Sequence, residues 1–447
     1  MAPPVIITFL GTSSAVPSQT RNHSSLSITL PSGSTYLFDA GEATQHQLQK
    51  VAGGFKLSSL RRIFITHMHG DHMFGIVPLL CTLLNGAGGT VGVEDPRLPN
   101  AEKKREADFE VYGPEGLREY IRTSFRLTKS LAWGSYVVHE LRTPSNGEEG
   151  KVKDEAEDMM PMELPGYNIF PDKDGYWRDI LSSAESSQPI EWDVSAGPII
   201  HSVPCLGYVL TEPALPGKIT PDYQKKILAN KAALVKSGVK NPMSLLSKVT
   251  ALGEGEFIDL PGGERLGRPP ARKGRKITVL GDTCDSSPIA DLARGSDVLI
   301  HEATNAFLGD KLGKESKEYK EGETYEDVKK KTIEHGHSTP EMAAEFSISI
   351  GLGEGGGVLG RVIPEQGGDK GKSKDSKDSK PRGVLLLNHF SSRYADPRSS
   401  DVAAATMEAI RESAVGIFQT AKGTQMEGGI DVVCSYDLMQ FEVRASD

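Results

Sequence analysis

Four cysteines in 447 residues, Cys81, Cys205, Cys284 and Cys434, lie far apart and form no CxxC pair. Neither a disulfide framework nor a thiolate zinc knuckle is indicated, and a reducing compartment fits best. Long apolar runs are missing too. None approaches the roughly 20 residues that cross a bilayer, and the first, Val5 to Leu10, is too short for a signal sequence. That run reads as the first strand of a fold. The expectation is a cytoplasmic protein with no membrane partner, entry to the nucleus being left open. A net charge of −9 lacks the basic excess of a general nucleic-acid binder. The average hides an uneven distribution: Thr211 to Lys276 holds 13 Lys or Arg against 6 Asp or Glu, +7 for that segment and −16 for the remainder. One part of the chain is built to meet an anion.

What is present in density is a run of metal-ligand residues. Thr66-His67-Met68-His69-Gly70-Asp71-His72 places three imidazoles and a carboxylate within six residues, directly after the apolar run Ile63-Phe64-Ile65. Residues two apart in an extended chain point the same way, so His67 and His69 can grip one ion as a strand ends. Gly70 permits a sharp turn, and Asp71 with His72 can face a second ion from the start of a helical run, Met73 to Leu84. Imidazole with carboxylate suits borderline divalent metals such as zinc, and two such ions sharing ligands make a hydrolytic centre. The bland alternative is an exposed His-rich turn.

Apolar strands at Val5 to Leu10, Leu26 to Leu30 and Tyr36 to Phe38 come early, with tight turns between them, and indicate a mixed or antiparallel sheet. Helices at Ala43 to Val51 and Gly116 to Phe125 then alternate with strands at Ile63 to Ile65 and Glu110 to Tyr112. A second half repeats the style, with strands at Ile277 to Leu280, Val298 to Ile300 and Val384 to Leu387 and helices at Pro340 to Ile350 and Val402 to Thr420. Both halves end strands in ligand-type residues, which favours a layered α/β/β/α sandwich with its site at one edge. Two segments interrupt the plan. Residues 145–187 are acidic at their start and rich in Pro, Gly and Asp, and read as a surface insertion. Residues 351–383 contain Gly355-Gly356-Gly357 and a Lys-rich run from Lys370 to Lys380, and read as a low-complexity disordered loop.

A binuclear centre needs more ligands, and three polar residues sit on or beside apolar runs. His201 follows Pro198-Ile199-Ile200; alone it reads as a satisfied core histidine. Asp282 follows Val279-Leu280-Gly281; alone it reads as a turn cap. Its two oxygens could bridge two cations. His389 ends Val384-Leu385-Leu386-Leu387-Asn388. Their order, together with the His67 cluster, is what gives them weight.

At this point the sequence resembles the metallo-β-lactamase fold, and its flanking words narrow the resemblance to tRNase Z, the tRNA 3′-processing endoribonucleases. Those words are Phe9-Leu10-Gly11-Thr12 with Pro17 and Arg21-Asn22, Phe38-Asp39-Ala40-Gly41-Glu42-Ala43-Thr44-Gln45, and His201-Ser202-Val203 with Gly207-Tyr208. They continue with Gly281-Asp282-Thr283, His301-Glu302-Ala303-Thr304, His337-Ser338-Thr339 and His389-Phe390-Ser391-Ser392-Arg393-Tyr394. The resemblance runs from residue 6 to about 396, at the length of the family's short form. It implies an α/β fold, an αβ/βα sandwich of two mixed sheets with flanking helices and a protruding arm, in a single domain over residues 1–447. It also implies two zinc ions per subunit, replaceable by manganese or another divalent metal. His67, His69 and His201 would hold one, Asp71, His72 and His389 the other, and Asp282 would bridge them. Asp71 is implied as general base, Glu302 as the carboxylate orienting a proton-donating His337, and Asp39 as a brace behind the ligands. His337 precedes Ser338-Thr339-Pro340-Glu341, a helix-start signature that would hold its ring, although it could serve only in that cap.

Within tRNase Z an arm clamps the elbow of the tRNA, and residues 211–276 fall where it would be inserted, bounded by Pro- and Gly-containing hinges. Their +7 charge suits phosphate contacts. Arg21, Asn22, Ser391, Arg393 and Lys218 are the expected substrate contacts. The resemblance further implies precursor tRNA as substrate and a homodimer in which one subunit's arm holds the RNA that the other cuts. Two other functions stand beside this one. The same fold could hydrolyse small esters or phosphodiesters, as arylsulfatase-like enzymes do, although these need no remote clamp. A non-catalytic RNA-binding protein with structural zinc would ordinarily close its site with four ligands, often cysteines.

Overall fold

Strand residues here alternate between two buried layers, which is why the strands read as continuous apolar runs instead of a polar–apolar alternation. Val5, Ile7, Phe9, Phe64 and Tyr112 from one sheet meet Leu206, Tyr208, Ile277, Val279, Val298, Ile300, Val384 and Leu386 from a second in the central layer. Their neighbours Leu10, Ile63, Ile65 and Val111 face outward, beneath the helices Thr44–Lys50, Ile76–Leu83 and Leu117–Thr128. On the far side, Val209, Leu299, Leu385 and Leu387 pack under Pro340–Ser349 and Asp401–Thr420. The result is the four-layered α/β/β/α sandwich. The computed structural model describes residues 3–84, 87–88, 107–132, 134–144, 147–154, 158–181, 191–214, 217–253, 255–313, 316–364, 382–420 and 429–446.

Both sheets are mixed. The eleven-stranded sheet has Val5–Gly11 antiparallel to Ser25–Thr29 on one side and to Gln440–Ala445 on the other. Thr35–Phe38, Leu60–Phe64, Phe109–Pro114 and Tyr136–Leu141 then run parallel. In the six-stranded sheet Asp193–Ile199, Cys205–Thr211 and Lys276–Leu280 are antiparallel, after which Val298–Glu302, Gly383–Asn388 and Ile430–Cys434 continue parallel. Parallel neighbours put their carboxyl ends at one edge, and ligand sites of such sheets form there. Among the described residues no helix is long and apolar enough to cross a membrane.

The chain divides into two compact units, Met1–Thr211 with Arg275–Asp447, and Glu212–Gly274. The second folds around a core of its own, with Ile227, Leu234, Leu245, Val249, Leu260 and Leu266 buried together. Helices Pro221–Ala229, Lys231–Lys236 and Leu245–Thr250 and the hairpin Phe257–Asp259 with Arg265–Gly267 supply them. Asn230 fastens the hairpin, its amide oxygen accepting from Gly262 N at 2.7 Å and its nitrogen donating to Glu264 at 3.0 Å. Lys225, Lys231, Lys236, Lys240, Lys248, Arg265 and Arg268 stay exposed.

Three expectations are corrected. The described part of 145–187 is not a surface excursion: Lys151–Lys153, Glu163–Leu164 and Tyr167–Ile169 join the larger sheet, and Trp177, Ile180 and Leu181 enter the central core. Three of its acidic residues, Asp154, Asp158 and Glu163, pair with the buried Arg122 at 2.7–3.2 Å. The expected disordered loop 351–383 begins with ordered chain, because Val358–Val362 pairs along Gln440–Ala445; its Lys-rich run lies outside the described residues. The helix expected from Met73 to Leu84 is two, Gly70–Met73 and Ile76–Leu83. Gly75 sits at the break, where a Cβ would collide with the carbonyl of Gly41.

If 145–187 belongs to the core, Trp177→Ala should cost about 3–5 kcal/mol of unfolding free energy in a urea titration. Trp177 is buried and its indole donates to Ile169 O at 3.0 Å. A change under about 0.5 kcal/mol, the range of ordinary surface substitutions, would return the segment to the surface.

Candidate metal centre

Six strand ends meet at one edge. Asp39 follows Thr35–Phe38, His67 follows Leu60–Phe64, His201 follows Asp193–Ile199, Asp282 follows Lys276–Leu280, Glu302 closes Val298–Glu302, and His389 follows Gly383–Asn388. His69 keeps extended backbone, and Asp71 and His72 come from the first turn of Gly70–Met73. Gly70 has no left-handed backbone, contrary to the sharp turn expected of it. A Cβ there would strike the ring of Phe74, which would have to move aside.

The ligand-type atoms converge as two sets. In the first, His69 Nδ1 and His201 Nε2 lie 3.2 Å apart, with His67 beside them. In the second, His72 Nε2 and His389 Nε2 are 3.1 Å apart, and Asp71 Oδ2 lies 3.6 Å from one and 3.5 Å from the other. Asp282 stands between. Its Oδ2 is 3.8 Å from His67 Nε2 and 3.9 Å from His201 Nε2, whereas its Oδ1 is 3.3 Å from His72 Nε2.

Outer partners decide which nitrogen faces in. His72 Nδ1 donates to Asp39 Oδ2 at 2.7 Å, and His201 Nδ1 donates to Gly336 O at 2.7 Å. Thr66 gives its hydroxyl proton to Asp39 at 3.0 Å and so accepts from His67 Nδ1, also at 3.0 Å. With Nδ1 engaged, these three rings turn Nε2 inward, as metal-binding histidines do, whereas His69 turns its Nδ1 towards His201. His67 Nε2 is buried without a hydrogen-bond partner. Such an orphan costs about 1–3 kcal/mol unless something binds it. Burial, with the neighbouring imidazoles, holds the His67 pKa well below its ordinary value, so the ring is neutral. Asp71 is held below the usual carboxylate range because His389 and His72 outweigh its burial. Burial would lower the His72 pKa, but Asp282 and Asp39 raise it well above its ordinary value, so His72 carries a proton that a bound cation would displace. The residues present thus fit a zinc-type ion in each set.

A proton-carrying pair adjoins them. Burial alone would lower the His337 pKa, but Glu302 reverses this by its charge and a 3.1 Å hydrogen bond, raising it to about 9. Glu302 is itself fixed by Thr283 N at 2.7 Å and Thr304 Oγ1 at 2.5 Å. His337 Nδ1 is 3.8 Å from Asp282 Oδ2, so the pair faces the ligand sets. The helix start behind it is real, with Thr339 accepting from Met342 N.

Sequence reasoning missed two contributors. Thr304 also lies 3.1 Å from His389 Nδ1, and the word His301-Glu302-Ala303-Thr304 could have pointed to it. Ala15, in left-handed backbone at φ 57°, donates its N–H to Asp71 Oδ2 at 2.7 Å. Acting through its backbone, it leaves no side-chain signal.

The substrate contacts fare differently. Arg21 is 1% exposed and cannot meet a substrate. It donates to the carbonyls of Tyr394 at 2.7 Å and Ser435 at 3.2 Å and to Thr12 Oγ1 at 2.7 Å, and its guanidinium lies over Phe390. Its donors are spent tying the loop after the first strand to the C-terminal half. The Asn22 amide donates to Glu42 O at 2.8 Å. Ser391 is half-buried beside Thr304, to whose carbonyl its N–H donates. Arg393 is exposed and donates to Asn305 at 3.2 Å. Lys218 is exposed on the unit Glu212–Gly274.

Two mixed sheets with a two-set His/Asp centre at their carboxyl edge define a metallo-β-lactamase-fold, metal-dependent hydrolase. Comparison narrows the class. A family model described as Anti-Pycsar protein Apyc1 matches residues 5–84. The chain is 33% identical to zinc phosphodiesterase ELAC protein 1 of Bos taurus over 353 residues, 76% of this chain and 82% of that one. It is 29% identical over 442 residues to ribonuclease Z of Microcystis aeruginosa, 98% of this chain and 96% of that one. Human tRNase Z, short form, superposes with a TM-score of 0.50 at 24% identity, covering 97% of this chain and 98% of that one, and shares the fold. The chain belongs to the ribonuclease Z family and is a phosphodiester-hydrolysing ribonuclease.

Arg21→Ala should lower stability by about 1.5–3 kcal/mol, because a charged donor to buried carbonyls is lost. Arg393→Ala should leave the melting temperature within a degree or two. Equal melting temperatures for the two variants would show that Arg21 tethers nothing.

Proposed function

We propose that the protein removes the 3′ trailer from precursor tRNA using two zinc ions. One would be held by His67, His69 and His201, the other by Asp71, His72 and His389, with Asp282 between them. The observation that carries this reading is Asp282, one oxygen turned to each histidine set. Two such ions, when bound, lower the pKa of water from about 15.7 towards 7 and offset charge on the phosphate oxygens. Asp71, aimed by the Ala15 N–H, takes the proton of the attacking water. The P–O3′ bond breaks in line. His337, oriented and kept protonated by Glu302, gives the leaving 3′ oxygen its proton, so the tRNA ends in a 3′ hydroxyl and the trailer begins with a 5′ phosphate. Asp39 keeps His72 in its binding tautomer.

The basic unit Glu212–Gly274 is read as the arm that grips the tRNA by its phosphates. A hydrolase of small esters would have no use for it. Pairing of two subunits, so that one arm serves the other's site, belongs to the same proposal, as does action in the cytoplasm.

Purified protein supplied with zinc or manganese should cut a trailer-bearing precursor after the discriminator base. No cleavage, or full activity in His67→Ala, would sink the reading. His337→Ala should slow cleavage by about 10²- to 10⁴-fold, the usual contribution of a positioned acid. Replacing residues 213–270 with a short linker should abolish precursor cleavage and spare a small phosphodiester; equal loss of both would count against the arm.

A further inference from the structure

Beside Asp71 the surface carries two exposed apolar side chains, where a site for a polyanion would be expected to be polar. Phe74, one helical turn after Asp71, is 59% exposed, and Val16, next to the Ala15 whose N–H holds Asp71, is 55% exposed. A phenyl ring left largely in water forgoes much of the free energy of burial, so its position asks for an occupant. The ring is also braced. Its N–H closes the turn onto Gly70 O at 2.9 Å, its edge occupies the space that Gly70 leaves by lacking a side chain, and Tyr120 lies nearly parallel to it at 6.3 Å between centroids. Tyr120 is half-buried and packs on the core. Phe74 is therefore held from behind and beneath, with the rest of its surface open.

We propose that Phe74 is a stacking platform for a nucleobase flanking the scissile phosphodiester, with Val16, next to the Ala15 that holds Asp71, adding a second exposed apolar group. The inference rests on the RNA-cleaving reading above and deepens it. A single-stranded 3′ end carries an aromatic base on each side of the phosphate that must reach Asp71. Base–aromatic stacking tolerates any base, which suits an enzyme that must accept many trailers, and each stack contributes about 1–3 kcal/mol. A patch of one ring and one isopropyl group is too small for a protein interface. Held by a base, the chain is also fixed in rotation about the backbone, which favours the in-line geometry of attack.

The test uses full-length protein and a precursor tRNA whose scissile linkage is a non-hydrolysable phosphonate. 2-Aminopurine replaces the discriminator base in one substrate and the first trailer base in another. Wild type should quench one of the two fluorophores on binding. Phe74→Trp should keep the quench, whereas Phe74→Leu, which retains apolar bulk without a ring, should lose it and weaken Kd by about 5- to 150-fold. With an abasic nucleotide at that position, wild type and Phe74→Leu should bind within about twofold of each other, the coupling having gone. Full quench in Phe74→Leu, or equal weakening on the intact and abasic substrates, overturns the platform and leaves the RNA reading standing. Loss of quench together with an altered sedimentation coefficient assigns Phe74 to a subunit contact and also overturns it. A wild type that neither binds nor cuts precursor removes the RNA reading, and the platform with it.

Discussion

A carboxylate without water around it, Asp282, sets the terms for the rest of this molecule. Taking such a group out of water costs several kcal/mol, and only facing charge or hydrogen bonds can offset it. His389 and His72 hold its carboxyl far below the ordinary range against the pull of burial. That balance requires two sheets to deliver their strand ends to the same few ångströms. Backbone crosses between them for the purpose: Leu206 N donates to Thr66 O at 3.0 Å, and the Tyr208 hydroxyl donates to Ile65 O at 2.7 Å. Gly281 has no room for a Cβ because Thr66 and Cys205 press against it. Beneath, Phe38, Phe64 and Tyr208 pack ring on ring and fix the sheet separation.

Around this point the backbone is strained where it is useful. Asp39, His389 and Ala15 all adopt left-handed conformations, with φ of 58°, 55° and 57°. Residues with a Cβ take such backbone at a cost of order 1–3 kcal/mol each, and surrounding structure must over-determine them. Here the over-determination is visible. Asp39 accepts from Thr66 twice and from His72. The loop carrying Ala15 is anchored by Arg21 and by Asp437, which accepts from Thr12 and from the Asn22 N–H. Residues that never touch a substrate thus fix where Asp71 points.

Much of this could be read from the chain before its structure. Apolar runs gave the layers and pointed to His67, His69, Asp282 and His389 at their ends, Asp71 and His72 followed in the same dense word, and the resemblance joined them with His201 into one ligand set. The rest failed for identifiable reasons. Arg21 was expected to contact substrate, since nothing in a sequence shows that it reaches a carbonyl more than 370 residues away. The acids of 145–187 suggested solvent, yet Arg122 neutralises three of them, and Trp177 with Ile180 outweighs the Gly and Pro around them. Ala15 was illegible altogether, its contribution being a peptide N–H.

The strand Gln440–Ala445 lies between Val5–Gly11 and Val358–Val362. On a ribosome, Val5–Gly11 therefore waits for roughly 430 further residues of synthesis before this neighbour exists. Phe9 N donates to Met439 O at 2.9 Å, and Leu438 N returns a bond to Phe9 O at 2.6 Å, so the same late arrival also seals the strand's carboxyl end beside the metal ligands. Until then an apolar edge stays open to other chains, a hazard for a nascent protein. The centre's first strand thus depends on a partner made long after it: Val5–Gly11 is closed by Gln440–Ala445.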